Sequence, residues 1–131
     1  MSSFSIVIQG APGSSQAALT ALHFANAVLL CGHQIYRLFF YQDGVHNASS
    51  LVVPPQDEFH LPKAWQQLVQ RHDIDAVVCV ASALKRGILD EQEASRYDKP
   101  ASNLLPGFTL GGLGQLIDAT LNSDRILNFS S

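Results

Sequence analysis

Short apolar, β-branched runs alternate along this chain with segments whose apolar residues return at helical spacing. That alternation restricts the fold more than any other feature. A strand, a helix and a second strand in succession pack as a parallel pair joined by a right-handed crossover. Ser5-Ile6-Val7-Ile8 reads as the first strand, and Gly10-Ala11-Pro12-Gly13 breaks it. Ser14 or Ser15 is placed to cap the next segment, because a serine oxygen accepts from the free N–H groups of a first helical turn. Ala18, Leu22, Ala25 and Leu29 follow at helical spacing, with Gly32 as the stop. Residues 35–41 are aromatic and β-branched and predict a second buried strand. Residues 42–55 read as a loop, with Asp43-Gly44, Asn47 and Pro54-Pro55 as turn residues.

A second helix starts near Leu61-Pro62, where proline is tolerated because first-turn N–H groups lack an intrahelical partner. Leu61, Trp65, Leu68 and His72 recur on one face, which places His72 as a packed end residue. Residues 75–80 form the third strand, residues 82–97 one or two short helices broken at Gly87, and residues 100–107 an irregular stretch. Residues 109–121 read as a last helix and Arg125–Phe129 as a closing strand. No internal repeat, low-complexity stretch or linker interrupts the order. The expectation is one domain over residues 1–131, an α/β doubly wound fold with a mostly parallel central sheet flanked by helices.

Composition excludes several function classes. At 47% hydrophobic and 15% charged residues the chain is not disordered. A formal charge of −3 offers no basic field for direct, extended nucleic-acid binding. So few charges also predict that part of the surface is covered by another subunit. No run is long enough to span a bilayer, and Met1-Ser2-Ser3-Phe4 lacks the basic and apolar regions of a signal peptide, so the chain reads as cytosolic, without membrane contact. Cys31 and Cys79 lie far apart and outside any C-x-x-C pair, which argues against a structural disulfide and a zinc framework.

Cys79 is the leading candidate for chemistry. It ends the run Ala76-Val77-Val78-Cys79-Val80 and is followed by Ala81-Ser82-Ala83-Leu84-Lys85-Arg86-Gly87. Sites in α/β folds collect beyond the carboxyl ends of strands. Helix N–H groups and two nearby cations favour a thiolate, the nucleophilic form. The alternative is a small buried hydrophobe. Lys85 and Arg86 have two readings: ordinary cations at a helix C-terminus, or groups packed back over Cys79. Gly10 to Ser15 lies where phosphates bind in nucleotide folds, yet it lacks a P-loop Lys-Ser/Thr end and a third glycine, so a turn and cap account for it better. His23, His33, His46, His60 and His72 show no helical metal-site spacing, although His46 and His60 are near enough to the strand ends to leave a proton relay open. Asp57-Glu58 and Asp90-Glu91 suit helix starts. Gly107, Gly111, Gly112 and Gly114 imply a close backbone approach, an interface or a ligand loop.

Four stretches together resemble the DsrE/TusD family of sulfur-relay proteins. They are Phe39-Phe40-Tyr41-Gln42-Asp43-Gly44-Val45-His46-Asn47-Ala48, then Asp57-Glu58-Phe59 through Ala64-Trp65-Gln66-Gln67-Leu68, then Val78 to Gly87, and Ser102-Asn103-Leu104 through Gly107-Phe108-Thr109-Leu110-Gly111-Gly112-Leu113-Gly114. The resemblance runs from the first strand to Phe129. It implies a cytoplasmic sulfurtransferase subunit that carries sulfur as a persulfide on Cys79 toward 2-thiouridine in tRNA. Ser82, Lys85 and Arg86 would support the thiolate, with no metal or organic cofactor. It further implies a heterohexamer with TusB- and TusC-like subunits, a TusA-like donor and a TusE-like acceptor. Two other expectations stand beside it: a DsrE-type subunit of a dissimilatory sulfur-oxidation relay, and a non-catalytic scaffold of the same fold. Leu121-Asn122-Ser123-Asp124 holds no cysteine, so a resolving thiol at that end, present in some relatives, is not expected here.

Overall fold

The computed structural model describes residues 1–130. Its elements run β1 (Ser3–Ile8), α1 (Ala17–Leu30), β2 (Gln34–Phe40), a 3₁₀ helix (Gln42–Ala48), α2 (Leu61–His72), β3 (Ala76–Cys79), α3 (Val80–Lys85), α4 (Glu91–Arg96), β4 (Phe108–Gly111), α5 (Leu113–Asn122) and β5 (Arg125–Phe129). The strands form one five-stranded sheet in the order β4-β3-β2-β1-β5, and every neighbouring pair is parallel. The alternation of strands and helices predicts this α/β architecture, and the structure has it.

The chain steps outward from β1 through β2 and β3 to β4, then crosses back past β1 to place β5. Right-handed crossovers that step in one direction lay their helices on one face, and a crossover in the reverse direction lays its helix on the other. Side-chain alternation along the strands records the result. Ile6, Ile8, Leu38, Phe40, Ala76, Val78 and Phe108 point into the main core with Ala18, Leu22 and Ala25 of α1 and Trp65 and Leu68 of α2. Trp65 meets Phe40 edge-on at 5.4 Å between ring centroids. Val7, Phe39, Val77 and Cys79 point to the opposite face, where Leu116 of α5 packs on them.

Two segments differ from the sequence expectation. Residues 109–111, expected as the start of the last helix, belong instead with Phe108 to the edge strand β4, with Gly111 beside Cys79 in register. Glycine is required there: a Cβ at Gly111 would lie 2.7 Å from Val77 Cγ1. The last helix therefore begins at Leu113. The first half of the expected loop at 42–55 is a 3₁₀ helix, Gln42–Ala48, which lies tight against β1: a Cβ at Gly44 would sit 1.9 Å from the Ile8 carbonyl oxygen. His72 is exposed, not packed: the buried face of α2 ends at Leu68 and Val69, and residues 70–72 face solvent.

Candidate functional site

Cys79 is the last residue of β3 and the N-cap of α3. Its neighbour in the sheet, Gly111, ends β4 and leads into α5. The helix after β3 sends Ala83 into the main core, whereas the helix after β4 crosses to the opposite face. Adjacent strands whose following helices part to opposite faces leave a crevice at their carboxyl ends, the place where α/β folds bind ligands. Here it is a cleft of about 320 Å3, lined by Cys79, Val80, Ala81, Ser82, Lys85 and Arg86 on one side, Gly112 and Leu113 on another, and Tyr41 and Gln42 from the end of β2. Cys79 is 3% exposed, so a visiting group reaches its sulfur only along this cleft.

The four residues singled out from sequence thus share one cleft, with separate tasks. Ser82 is buried, and its Oγ accepts the Gln42 backbone N–H at 3.1 Å. Gln42 has a φ of +51°, a left-handed conformation costly for a residue with a Cβ, so this bond holds a turn that would otherwise relax. Arg86 donates from Nε to Asp43 Oδ1 at 2.8 Å and from Nη1 to the Ser82 carbonyl at 3.2 Å. Both residues therefore fasten the 41–43 segment to α3 as a wall of the cleft. Lys85, exposed at the last turn of α3, forms no ion pair among the described residues. Sequence reasoning missed Tyr41, Gln42 and Leu113 as walls, while Gly112 stood among the glycines for which a ligand loop was one reading; a position just past strand ends was the available signal.

The other candidates resolve structurally. Ser15 Oγ accepts the Ala17 N–H at 3.3 Å, while Gln16, the N-cap of α1, makes no side-chain cap bond. The cavity beside Gly13 and Ser14 also contains Glu58, whose negative charge opposes a phosphate. His60 caps α2, its Nδ1 accepting from Lys63 N at 3.3 Å, and Asp90 caps α4, its Oδ1 accepting from Glu93 N at 2.8 Å. Neither His46 nor His60 lines the Cys79 cleft. Among the described residues no three His, Cys, Asp or Glu side chains group as a metal site, and no helix is long and apolar enough to cross a membrane.

Below the cleft, α5 is fastened by a polar cluster. Asp118 Oδ2 accepts from Tyr36 Oη at 2.6 Å and from Arg37 Nη1 at 3.0 Å, and its Oδ1 accepts from Asn122 Nδ2 at 2.8 Å. Arg37 also donates to the Gln115 carbonyl at 2.8 Å and to Asp75 at 2.7 Å. The Tyr36 hydroxyl, with the Arg37 guanidinium, holds the Asp118 carboxyl below the ordinary 3.8, and the same bond to Asp118 holds the Tyr36 phenol above 10.0.

Comparison with known proteins adds an independent line. The model of the DsrE/DsrF-like family matches residues 2–129. A protein of Pseudomonas aeruginosa named sulfurtransferase TusD homolog is 55% identical over 118 residues, 90% of each chain. Sulfurtransferase TusD of Salmonella newport is 48% identical, covering 96% of this chain and 98% of that one. A putative sulfurtransferase DsrE of Allochromatium vinosum is 47% identical, covering 96% and 97%. Among solved structures, the ychN protein of E. coli superposes with a TM-score of 0.79 over 98% of this chain and all of its own, at 22% identity, a likeness of fold.

Proposed function

This chain belongs to the DsrE/DsrF-like family, and from that premise we propose that it is a sulfur-relay protein in which Cys79 accepts sulfane sulfur as a persulfide and passes it to a cysteine of an acceptor protein. The observation that carries the reading is the position of Cys79 on the floor of the cleft between α3 and α5. The Cys79 thiolate attacks the outer sulfur of a donor persulfide. The bond from that sulfur to the donor cysteine breaks, and the donor leaves as a thiolate. An acceptor thiolate then attacks the outer sulfur on Cys79, which leaves as a thiolate in turn. Each step is the sulfur analogue of thiol–disulfide exchange, with no net oxidant or reductant. Lys85 supplies positive charge at the mouth, while Ser82 and Arg86 hold the wall that keeps the sulfur shielded.

The whole chain, residues 1–131, acts as one such domain in the cytoplasm and serves 2-thiouridine formation in tRNA. Its partners are TusB- and TusC-like subunits in a heterohexamer, a TusA-like donor and a TusE-like acceptor. Relatives named sulfurtransferase TusD support the assignment. Leu113, Ile117 and Leu121, exposed at 49%, 61% and 77% along α5, offer apolar surface suited to a subunit contact. One observation favours a second reading, a sulfur-oxidation relay: the relative named DsrE is 47% identical, next to 48% for sulfurtransferase TusD of Salmonella newport.

Incubation with a persulfide-loaded donor, followed by intact-mass measurement, tests the chemistry. The wild-type chain gains the mass of one sulfur, and Cys79→Ser gains none while folding normally. A wild type that never gains it, or a variant that gains it equally, overturns the relay. Loss of tRNA 2-thiouridine on gene deletion supports the tRNA assignment; unchanged 2-thiouridine overturns it in favour of the oxidation relay.

A further inference from the structure

We propose that Leu113, at the start of α5, is a hinged cover over Cys79, jointed at Gly112 and Gly114, with the helix behind it pinned by Arg37 at the Gln115 carbonyl and by Asp118. The proposal rests on the reading of Cys79 as the reactive sulfur and adds how that sulfur is reached. Cys79 is nearly sealed at 3% exposure, and α5 contributes twice to the seal. Leu113 lines the cleft, and Leu116 packs on the cluster that contains Cys79.

The attachment of α5 is lopsided. Its start has no side-chain cap among the described residues and no acidic residue in the first turn. Either would secure a helix N-terminus. Ala119, further along, is the buried residue of the helix. The side-chain bonds that tie the helix down begin at the Gln115 carbonyl, held by Arg37, and continue with Asp118 to Tyr36, Arg37 and Asn122, so Leu113 and Gly114 lie ahead of all of them. Local opening begins where a helix has the fewest such ties.

The glycines point to the same end. Gly111 is demanded by its close approach to Val77. Gly112 and Gly114 are not: neither has a positive φ, and a Cβ on either would meet no other described atom within 4 Å. Packing and backbone geometry therefore leave room for alanine at 114 and for a capping serine or aspartate at 112, both of which favour helix. What glycine supplies at these places is freedom of the backbone on both sides of Leu113. Swinging Leu113 outward uncovers the sulfur for a protein-borne donor too large for the closed cleft.

Maleimide labelling of Cys79 in the full chain, in a Cys31→Ser background, tests the cover. One reagent is N-ethylmaleimide and the other a maleimide on a long polyethylene glycol chain. Gly114→Ala is expected to raise Tm and to lower the rate with the bulky reagent, relative to the small one, about fivefold, the shift in helix population that follows from replacing a helical glycine. Asp118→Asn, which loosens the pin, is expected to lower Tm and raise that ratio. A ratio unchanged in both variants overturns the cover, as does a wild-type Cys79 that the bulky reagent never labels. Persulfide loading of the same variants separates the two readings. Normal loading with an unchanged ratio removes the cover alone, and a shifted ratio without loading in any variant removes the relay alone.

Discussion

Ser82 shows how a residue chosen for chemistry serves by geometry. Sequence placed it a few residues past Cys79, as a hydroxyl to support an anion. In the structure its Oγ accepts the N–H of Gln42, whose left-handed backbone sets the wall opposite α5. No sequence pattern marks that pairing, because the two residues come from different strand ends. Ser82→Ala leaves the N–H without its acceptor. The expected cost is about 1 kcal/mol, read as a fall in Tm of about 4 °C for a chain of this size. Persulfide loading slows but still goes to completion. A complete loss of loading in a folded variant would instead put the hydroxyl in contact with the reacting sulfur. Cys79 itself was legible from sequence, since an apolar run ending in cysteine before a helical stretch describes a strand end directly.

At the scale of elements, α5 depends on a charge for its seat, and this makes its docking sensitive to pH. The folded state holds the Asp118 carboxyl below 3.8 through the Tyr36 hydroxyl and the Arg37 guanidinium. A depressed carboxyl contributes stability that is present above its unfolded value and lost as pH falls through the folded one. Thermal melts of the wild type should therefore lose stability below about pH 4 more steeply than those of Asp118→Asn. Parallel acid limbs in the two proteins would show that the cluster does not secure the helix. The strand before α5 escaped the sequence reading for a physical reason. β4 has four residues at the sheet edge, and Gly111 within it and Gly107 and Gly112 beside it weaken the strand signal that alternation provides. α1 and α2 are long enough for periodicity to speak, so α1 appears close to its expected bounds and α2 starts where Leu61-Pro62 placed it.

For the molecule as a whole, topology follows from alternation plus handedness, but the order of strands does not. Nothing in Arg125–Phe129 says that it returns to lie beside β1. Once there it covers the edge of β1 that β2 leaves free and seats Phe129 against Phe24 of α1, with ring centroids 5.6 Å apart. Truncation after Asn122 is expected to abolish the cooperative unfolding transition, checked by circular dichroism against denaturant. A sharp transition in the shortened chain would show that β5 is dispensable. The parallel arrangement has one more consequence. α1 runs back against the strands, so Cys31 lies at their amino ends, next to the contact between Ser2 and His33, while Cys79 lies at the carboxyl end of β3. Two thiols at opposite poles of a sheet cannot close a disulfide. Within its own chain the loaded sulfur has no internal short circuit, and on the relay reading its cargo waits, undischarged, for another molecule to collect it.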